Sequence, residues 1–181
     1  VGGEKMSKSI GNVIDPFALV EKYSSASTSA MSSVPNGSSQ VGVDAVRYFL
    51  LREITPFEDG DFTYEKFEER YNGDLASGLG NLVARVTTMA VKSGLEPPTS
   101  NTVSNSDIQG AIDRAKTQSQ KFLDEFKFNE ALAAIWELIT VCDKYIEEKK
   151  PWQGTGEDAG RVLGELLVVL KRTAEMLKPF L

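Results

Sequence analysis

From Thr63 to the end of the chain, apolar residues recur every three or four positions, the spacing of one face of an α-helix. Leu75, Leu79, Leu82, Val83, Val86, Met89 and Ala90 make one such stripe, on a helix opened by Thr63 and stopped near Ser93-Gly94. Pro97-Pro98 and the polar run to Asn105 read as a linker, and Ser106 opens a second helix to about Phe126. Asn129 is placed to cap a third, lined by Leu132, Ile135, Trp136, Ile139, Cys142 and Ile146 and ended by Pro151. After the connector Gln153-Gly154-Thr155-Gly156, a fourth carries Val162, Leu163, Leu166, Leu167, Leu170, Ala174 and Leu177, and Pro179 halts it. Four amphipathic helices on short or moderate links bury their stripes most economically as an antiparallel bundle, so the pattern predicts an all-α fold. No internal repeat is evident.

The first 62 residues are patterned differently. A glycine-rich loop leads to Asp15-Pro16, which suits the start of a short helix to about Tyr23. Ser24 to Gln40 is a serine-rich stretch with too little apolar surface to order itself and is expected to be a mobile insert. Asp44 is placed to cap a helix through Glu53 carrying Val46, Phe49 and Leu50, and Glu58-Asp59-Gly60-Asp61-Phe62 reads as a turn. This divides the chain into residues 1–62, a loop with short linking helices and an insert at about 24–40, and residues 63–181, the bundle.

Composition narrows the chemistry. The 181 residues are 41% hydrophobic and 25% charged, enough for one bundle-sized core. No apolar run reaches membrane-spanning length, and no secretory pattern opens the chain. A net charge of −6 argues against coating nucleic acid by bulk electrostatics, yet leaves open the recognition of one RNA feature by a few placed side chains. The absence of histidine removes Ser-His-Asp and Cys-His chemistry, and the single Cys142 excludes a disulfide framework or a cysteine-cluster metal site. No metal site is expected, and a reducing, cytoplasmic setting fits best. The chain opens on valine and reaches a lysine loop almost at once, so it reads as part of a longer protein without a self-sufficient active site.

Two groups of residues can carry chemistry. In Lys5-Met6-Ser7-Lys8-Ser9, two lysines three positions apart stand among hydroxyl residues, between glycines Gly2, Gly3 and Gly11. Lys5 and Lys8 can place compact positive charges on polyphosphate oxygens, with Ser7 and Ser9 as hydroxyl donors. The bland alternative is a solvated basic loop. The second group is Asn81 and Arg85, four apart on the polar side of their helix, with Trp152 beyond a helix-ending proline. An amide and a guanidinium so placed can read the edge of an unstacked base on which an aromatic ring stacks. The same residues also suit a solvated face, and Trp152 a local packing plug. Lys149 and Lys150 suit phosphates or a helix C-terminus, and Glu147-Glu148 reads as a solvated face. Trp136, inside an apolar stripe, belongs to the core.

The lysine loop with the following Ile10-Gly11-Asn12-Val13-Ile14-Asp15-Pro16 closely resembles the signature loop of class I aminoacyl-tRNA synthetases. Val43-Asp44-Ala45-Val46-Arg47-Tyr48-Phe49-Leu50-Leu51-Arg52-Glu53 and Asp59-Gly60-Asp61-Phe62 resemble the segment joining catalytic and helical domains in the methionyl-tRNA synthetase family. Tyr71-Asn72-Gly73-Asp74-Leu75-Ala76, Gly80 to Val86, Lys150-Pro151-Trp152 and Leu177 to Leu181 continue that similarity, which spans the chain except for the serine-rich insert.

The resemblance implies an ATP-dependent ligase that activates methionine and charges tRNA(Met), with ATP and Mg2+ as the parent enzyme's cofactors. It implies that Lys5 and Lys8 act catalytically on the triphosphate with Ser7 and Ser9 beside them. It also implies that Asn81, Arg85 and Trp152 bind the first base of a CAU anticodon. The family's histidine-bearing signature is absent here. This part is therefore expected to be inactive alone, to hold no bound cofactor, and to have the N-terminal catalytic domain and the tRNA(Met) anticodon stem-loop as partners. The alternatives are another class I synthetase (leucyl, valyl, isoleucyl or cysteinyl), a free-standing RNA-binding helical module, or a protein-interaction domain that has lost RNA binding. Reading one base with all three residues requires Trp152 to lie within about two helix diameters of Arg85, at ~10–12 Å per diameter.

Overall fold

Asp15 opens the first helix as its position predicts, its Oδ1 accepting the Phe17 N–H at 2.9 Å. A computed structural model describes residues 1–26, 37–96, 98, 100–154 and 156–181. Among these, helices α1 (Pro16–Ala26) and α2 (Gly37–Glu53) pack on each other. The serine-rich insert is thus trimmed from both sides, and its centre, 27–36, lies outside the described residues. Asp44 is not the N-cap of α2: it lies mid-helix, where its Oδ1 accepts from Gln40 Nε2 at 2.7 Å. The helix extends past it because packing overrides local propensity. Leu19 and Tyr23 of α1 are buried in one cluster with Ala45, Val46 and Phe49 of α2 and with Phe62 and Phe67. Gly42 permits the close approach, since a Cβ there would collide with the Val20 carbonyl and the Ser24 hydroxyl.

Thr63 caps the next helix as expected, its Oγ1 accepting the Lys66 N–H at 3.2 Å. The single regular helix drawn from the sequence, however, is three segments in one rod. α3 (Tyr64–Glu69) passes into a π-helical stretch, Arg70–Gly80, which passes into α4 (Asn81–Lys92). Two glycines fit this stretch physically. A Cβ on Gly78 would stand 3.2 Å from the Gly73 carbonyl oxygen, and one on Gly80 3.0 Å from that of Leu75. Both pairs are five residues apart, the π-helical repeat. The wider turns split the apolar stripe: Leu75 packs with Tyr48, Ala131, Leu132 and Ile135, whereas Leu82 and Val86 enter the main core. Val83 is left exposed. Asp74, within the π-stretch, accepts from Tyr48 Oη at 2.7 Å and lies 3.7 Å from Arg52 Nε, tying α2 to the rod.

α4 ends at Ser93-Gly94 as anticipated, with Gly94 at φ 63 and the Leu95 N–H bonded back to the Ala90 carbonyl at 3.0 Å. Asn105 then caps α5 (Ser106–Asp124), its Oδ1 accepting the N–H groups of Asp107 and Ile108. A tight turn leads to α6 (Phe128–Lys149), which packs along α5, and α7 (Glu157–Leu177) completes the bundle against α4, α5 and α6. Asn129 is inside the first turn of α6 rather than at its cap. Phe126, at φ 58, reverses the chain after α5 so tightly that the helix resumes at Phe128. No strand occurs among the described residues, and the all-helical fold stands. Pro97, Thr99 and Thr155, in the two predicted connectors, lie outside those residues.

The core of the bundle joins Leu82, Val86, Ile108, Ile112, Leu138, Cys142, Ile146, Val162, Leu166 and Val169. α7 turns slightly from its expected azimuth: Val168, Val169 and Thr173 are buried while Ala174 is exposed. The same buried face carries Glu165, a buried carboxylate that the hydrophobic pattern did not flag. It accepts from Tyr145 Oη at 2.7 Å and from the N–H groups of Ser104 and Asn105 at 3.0 and 3.1 Å, pinning the α4–α5 linker to α6 and α7. The chain end returns to the linking segment, where Arg47 donates to the carbonyls of Pro179 and Phe180.

Candidate nucleic-acid interface and lysine loop

The lysine loop is a closed turn on the N-terminal segment. Ile10 and Gly11 both donate their N–H groups to the Ser7 carbonyl, at 3.2 and 3.1 Å. The Ser7 and Ser9 hydroxyls are 2.8 Å apart, so the two residues read as phosphate donors are hydrogen-bonded to each other. Lys5 and Lys8 are exposed and form no ion pair among the described residues. The loop leans on the turn before α3, with the Gly3 N–H donating to Asp61 Oδ1 at 3.0 Å. That hydrogen bond, helped by Lys66, holds the Asp61 carboxyl below its ordinary range. Between the loop, α1 and α2 lies an open groove of about 940 Å³, lined by Lys5 and Met6 on one side and by Leu19, Phe49 and Phe62 on the other.

The second group assembles from two parts of the chain, the start of α4 and the turn after α6. Asn81 is the first residue of α4 and is exposed, and Arg85 follows one turn later, half-buried. Lys150 ends α6 in the left-handed conformation (φ 43, ψ 56), its N–H bonded to the Ile146 carbonyl at 2.9 Å. That reversal and the buried Pro151 swing Trp152 back over α4, where its ring centre lies 6.0 Å from the Arg85 guanidinium carbon. This is well inside the two-helix-diameter limit. Trp152 is 48% exposed, so about half of the side chain remains in contact with solvent. Trp136, by contrast, packs against Tyr48 at a centroid distance of 5.0 Å in the core between α2 and α6.

Sequence reasoning missed the acidic side of this site. Glu147 accepts from Arg85 Nη2 at 2.6 Å and Asp143 lies 3.7 Å from Nη1, so α6 presents two carboxylates one turn apart to a single guanidinium. Glu147 is therefore a partner of Arg85 rather than part of a merely solvated face. Partial burial raises the Asp143 carboxyl, Arg85 opposes that shift, and the Glu147 charge adds to it. The i, i+4 spacing of Asp143 and Glu147 was visible in the sequence, but nothing there placed Arg85 across from them.

Known proteins bear on both groups. Residues 1–87 match the family model described as tRNA synthetases class I (M), and residues 106–181 match that of the anticodon-binding domain of tRNA ligase. The chain is 38% identical to the methionine–tRNA ligase of Caldanaerobacter subterraneus subsp. tengcongensis over 97% of its own length and 25% of that protein's. It is 38% identical to methionine–tRNA ligase 1 of Bacillus cereus, over 98% of its length and 26% of the relative's. Among solved structures, Mycobacterium tuberculosis methionyl-tRNA synthetase in complex with methionyl-adenylate superposes with a TM-score of 0.75. That protein is 31% identical, and the match covers 98% of this chain and 33% of the other.

A lysine signature loop leading through linking helices into an anticodon-binding bundle defines a class I aminoacyl-tRNA synthetase. Within that class the chain belongs to the methionyl-tRNA synthetase family and corresponds to the part that runs from the signature loop through the helical domain. It spans about a quarter to a third of the length of these relatives.

Proposed function

We propose that this chain supplies two working parts of a methionine–tRNA ligase: the loop that contacts the ATP phosphates and the bundle that reads the CAU anticodon of tRNA(Met). The observation that carries the reading is the stacking of Trp152 over Arg85, with Asn81 one helical turn away. An amide and a guanidinium offer hydrogen bonds to the edge of a base, and the half-exposed ring offers a surface for its face, at ~1–3 kcal/mol per stacked base. The net charge of −6 is compatible with such local readout, because stacking and a few placed donors do not need a basic surface.

On the loop, Lys5 and Lys8 stabilise the triphosphate of ATP while methionine attacks the α-phosphate, with Ser7 and Ser9 shaping the turn. Removing one such electrostatic contact commonly costs about 3 kcal/mol of transition-state stabilisation. Mg2+ would arrive on the phosphates of ATP, the usual way that ion is bound with a nucleotide substrate. The methionine pocket and the rest of the ATP site belong to a catalytic half, and without it the chain is inactive. No helix among the described residues is long and apolar enough to cross a membrane, and the setting is the cytoplasm, where tRNA is charged.

The test is binding of this chain to a CAU anticodon stem-loop against the same loop with its cytosine replaced by uracil. A preference for CAU that disappears in Trp152→Ala supports the reading. Equal binding to the two loops, or a preference that survives Trp152→Ala, rejects it in favour of a protein-interaction role.

A further inference from the structure

The resemblance and the family matches leave Asn12 without a task, yet its side chain makes more contacts within the lysine loop than any lysine does. Its Oδ1 accepts the Ser7 N–H at 2.8 Å and its Nδ2 donates to the Lys5 carbonyl at 3.2 Å. One planar carboxamide thus grips the backbone on both sides of Met6, its oxygen accepting and its nitrogen donating, as the two ends of an Asn or Gln amide can. Gly11, at φ 75, reverses the chain immediately before it and brings Asn12 back towards Lys5. Between the two ends of this clasp, the Ser7 carbonyl takes the Ile10 and Gly11 N–H groups and closes a turn over Lys8. Asn12 is half-buried, whereas Lys8, Ser9, Ile10 and Gly11 around it are exposed.

We propose that Asn12 is a positioning residue for phosphate contact: it locks the segments bearing Lys5 and Lys8 into one unit, so that both ammonium groups meet a polyphosphate already in register. The proposal rests on the reading of Lys5 and Lys8 given above. Without the clasp, the Ser7 N–H and the Lys5 carbonyl return to water and the two lysines are ordered separately, each at an entropic cost that the bound phosphate has to offset. The effect appears in the phosphate-dependent step and not in the binding of the amino acid.

The experiment uses the protein in which this chain is joined to a catalytic half and follows methionine-dependent exchange of pyrophosphate into ATP. Asn12→Ala is expected to slow exchange about tenfold to a hundredfold, the range of a misplaced reacting group, with KM for methionine unchanged. Asn12→Asp keeps the acceptor for Ser7 but turns a carboxylate towards the Lys5 carbonyl, so it is expected to be as slow. Thermal melting of each variant checks that it is folded. In a Lys5→Ala/Lys8→Ala background, adding Asn12→Ala is expected to cost less than twofold more, because a clasp has nothing left to position. Exchange within twofold of the parent for Asn12→Ala, while Lys8→Ala is slow, overturns the role of Asn12. A full further loss in the double-lysine background overturns positioning in favour of a general structural role. If Lys8→Ala itself exchanges at the parent rate, the phosphate reading fails instead.

Discussion

The guanidinium of Arg85 is shared: it lies 6.0 Å below the centre of the Trp152 ring and donates to Glu147 at 2.6 Å. The same guanidinium thus meets an aromatic ring and the carboxylates of α6. The charge of Arg85 is partly answered by Asp143 and Glu147.

That arrangement stabilises the fold only weakly. Arg85 is half-buried and Glu147 largely exposed, and an ion pair at such a position contributes roughly 0.2–1 kcal/mol. A double-mutant cycle of Arg85→Ala and Glu147→Ala, read by urea denaturation, is expected to give a coupling in that range that shrinks in high salt. A coupling above 2 kcal/mol would show the pair to be a structural clasp.

Glu165 is the opposite case. Its carboxylate is 4% exposed and serves one phenol and two backbone N–H groups. Glu165→Ala strands all three donors and is expected to cost about 3–5 kcal/mol, as for breaking a buried charged cluster. Glu165→Gln, which keeps one acceptor, is expected to cost less. Equal urea midpoints for both variants and the parent would contradict this.

Stability in alkali follows from the same contact. Burial, reinforced by the hydrogen bond to Glu165, raises the Tyr145 phenol from 10.0 to about 12. The folded state then holds this proton where the unfolded chain has released it, so stability falls as pH rises from about 10 to about 12. Burial of Cys142, raised from 9.0 to about 12, acts in the same direction. Urea midpoints at several pH values are expected to show this decline, shallower in Tyr145→Phe. An unchanged slope in that variant would exclude Tyr145 as a cause.

Gly42→Ala tests the crossing of α1 and α2. The added methyl meets the Val20 carbonyl and the Ser24 hydroxyl, and forcing the helices apart is expected to cost about 1–3 kcal/mol. Gly73→Ala, where a Cβ meets nothing within 4 Å, is the control. Equal melting temperatures for the two would refute the close approach.

Much of this was legible from local rules. Thr63 caps its helix, Ser93-Gly94 ends another, and Trp152 falls beside Arg85 as the one-site reading requires. The failures have specific causes. Asp44 and Asn129 carry cap-forming side chains, but each helix began upstream because its neighbours supplied packing or a tighter turn. The π-stretch left no mark in the apolar stripe, because a 3.6-residue template still fits Leu75, Leu79 and Leu82 in one dimension.

By itself the sequence determined the amphipathic character of the bundle helices, the lysine loop and its family, and the placing of Asn81 and Arg85 one turn apart on one helix. Those are properties of periodicity and residue type, which are read within a few turns of chain. The tertiary structure alone decided that Asp143 and Glu147 face Arg85, that Glu165 is a buried clamp, and that Asn12 closes the lysine loop. In the first two, the partners stand 20 to 62 residues apart along the chain, and their pairing follows from how the helices are rotated against one another. In the third they are only 5 and 7 residues apart, but they meet through a left-handed glycine reversal that no periodic pattern encodes.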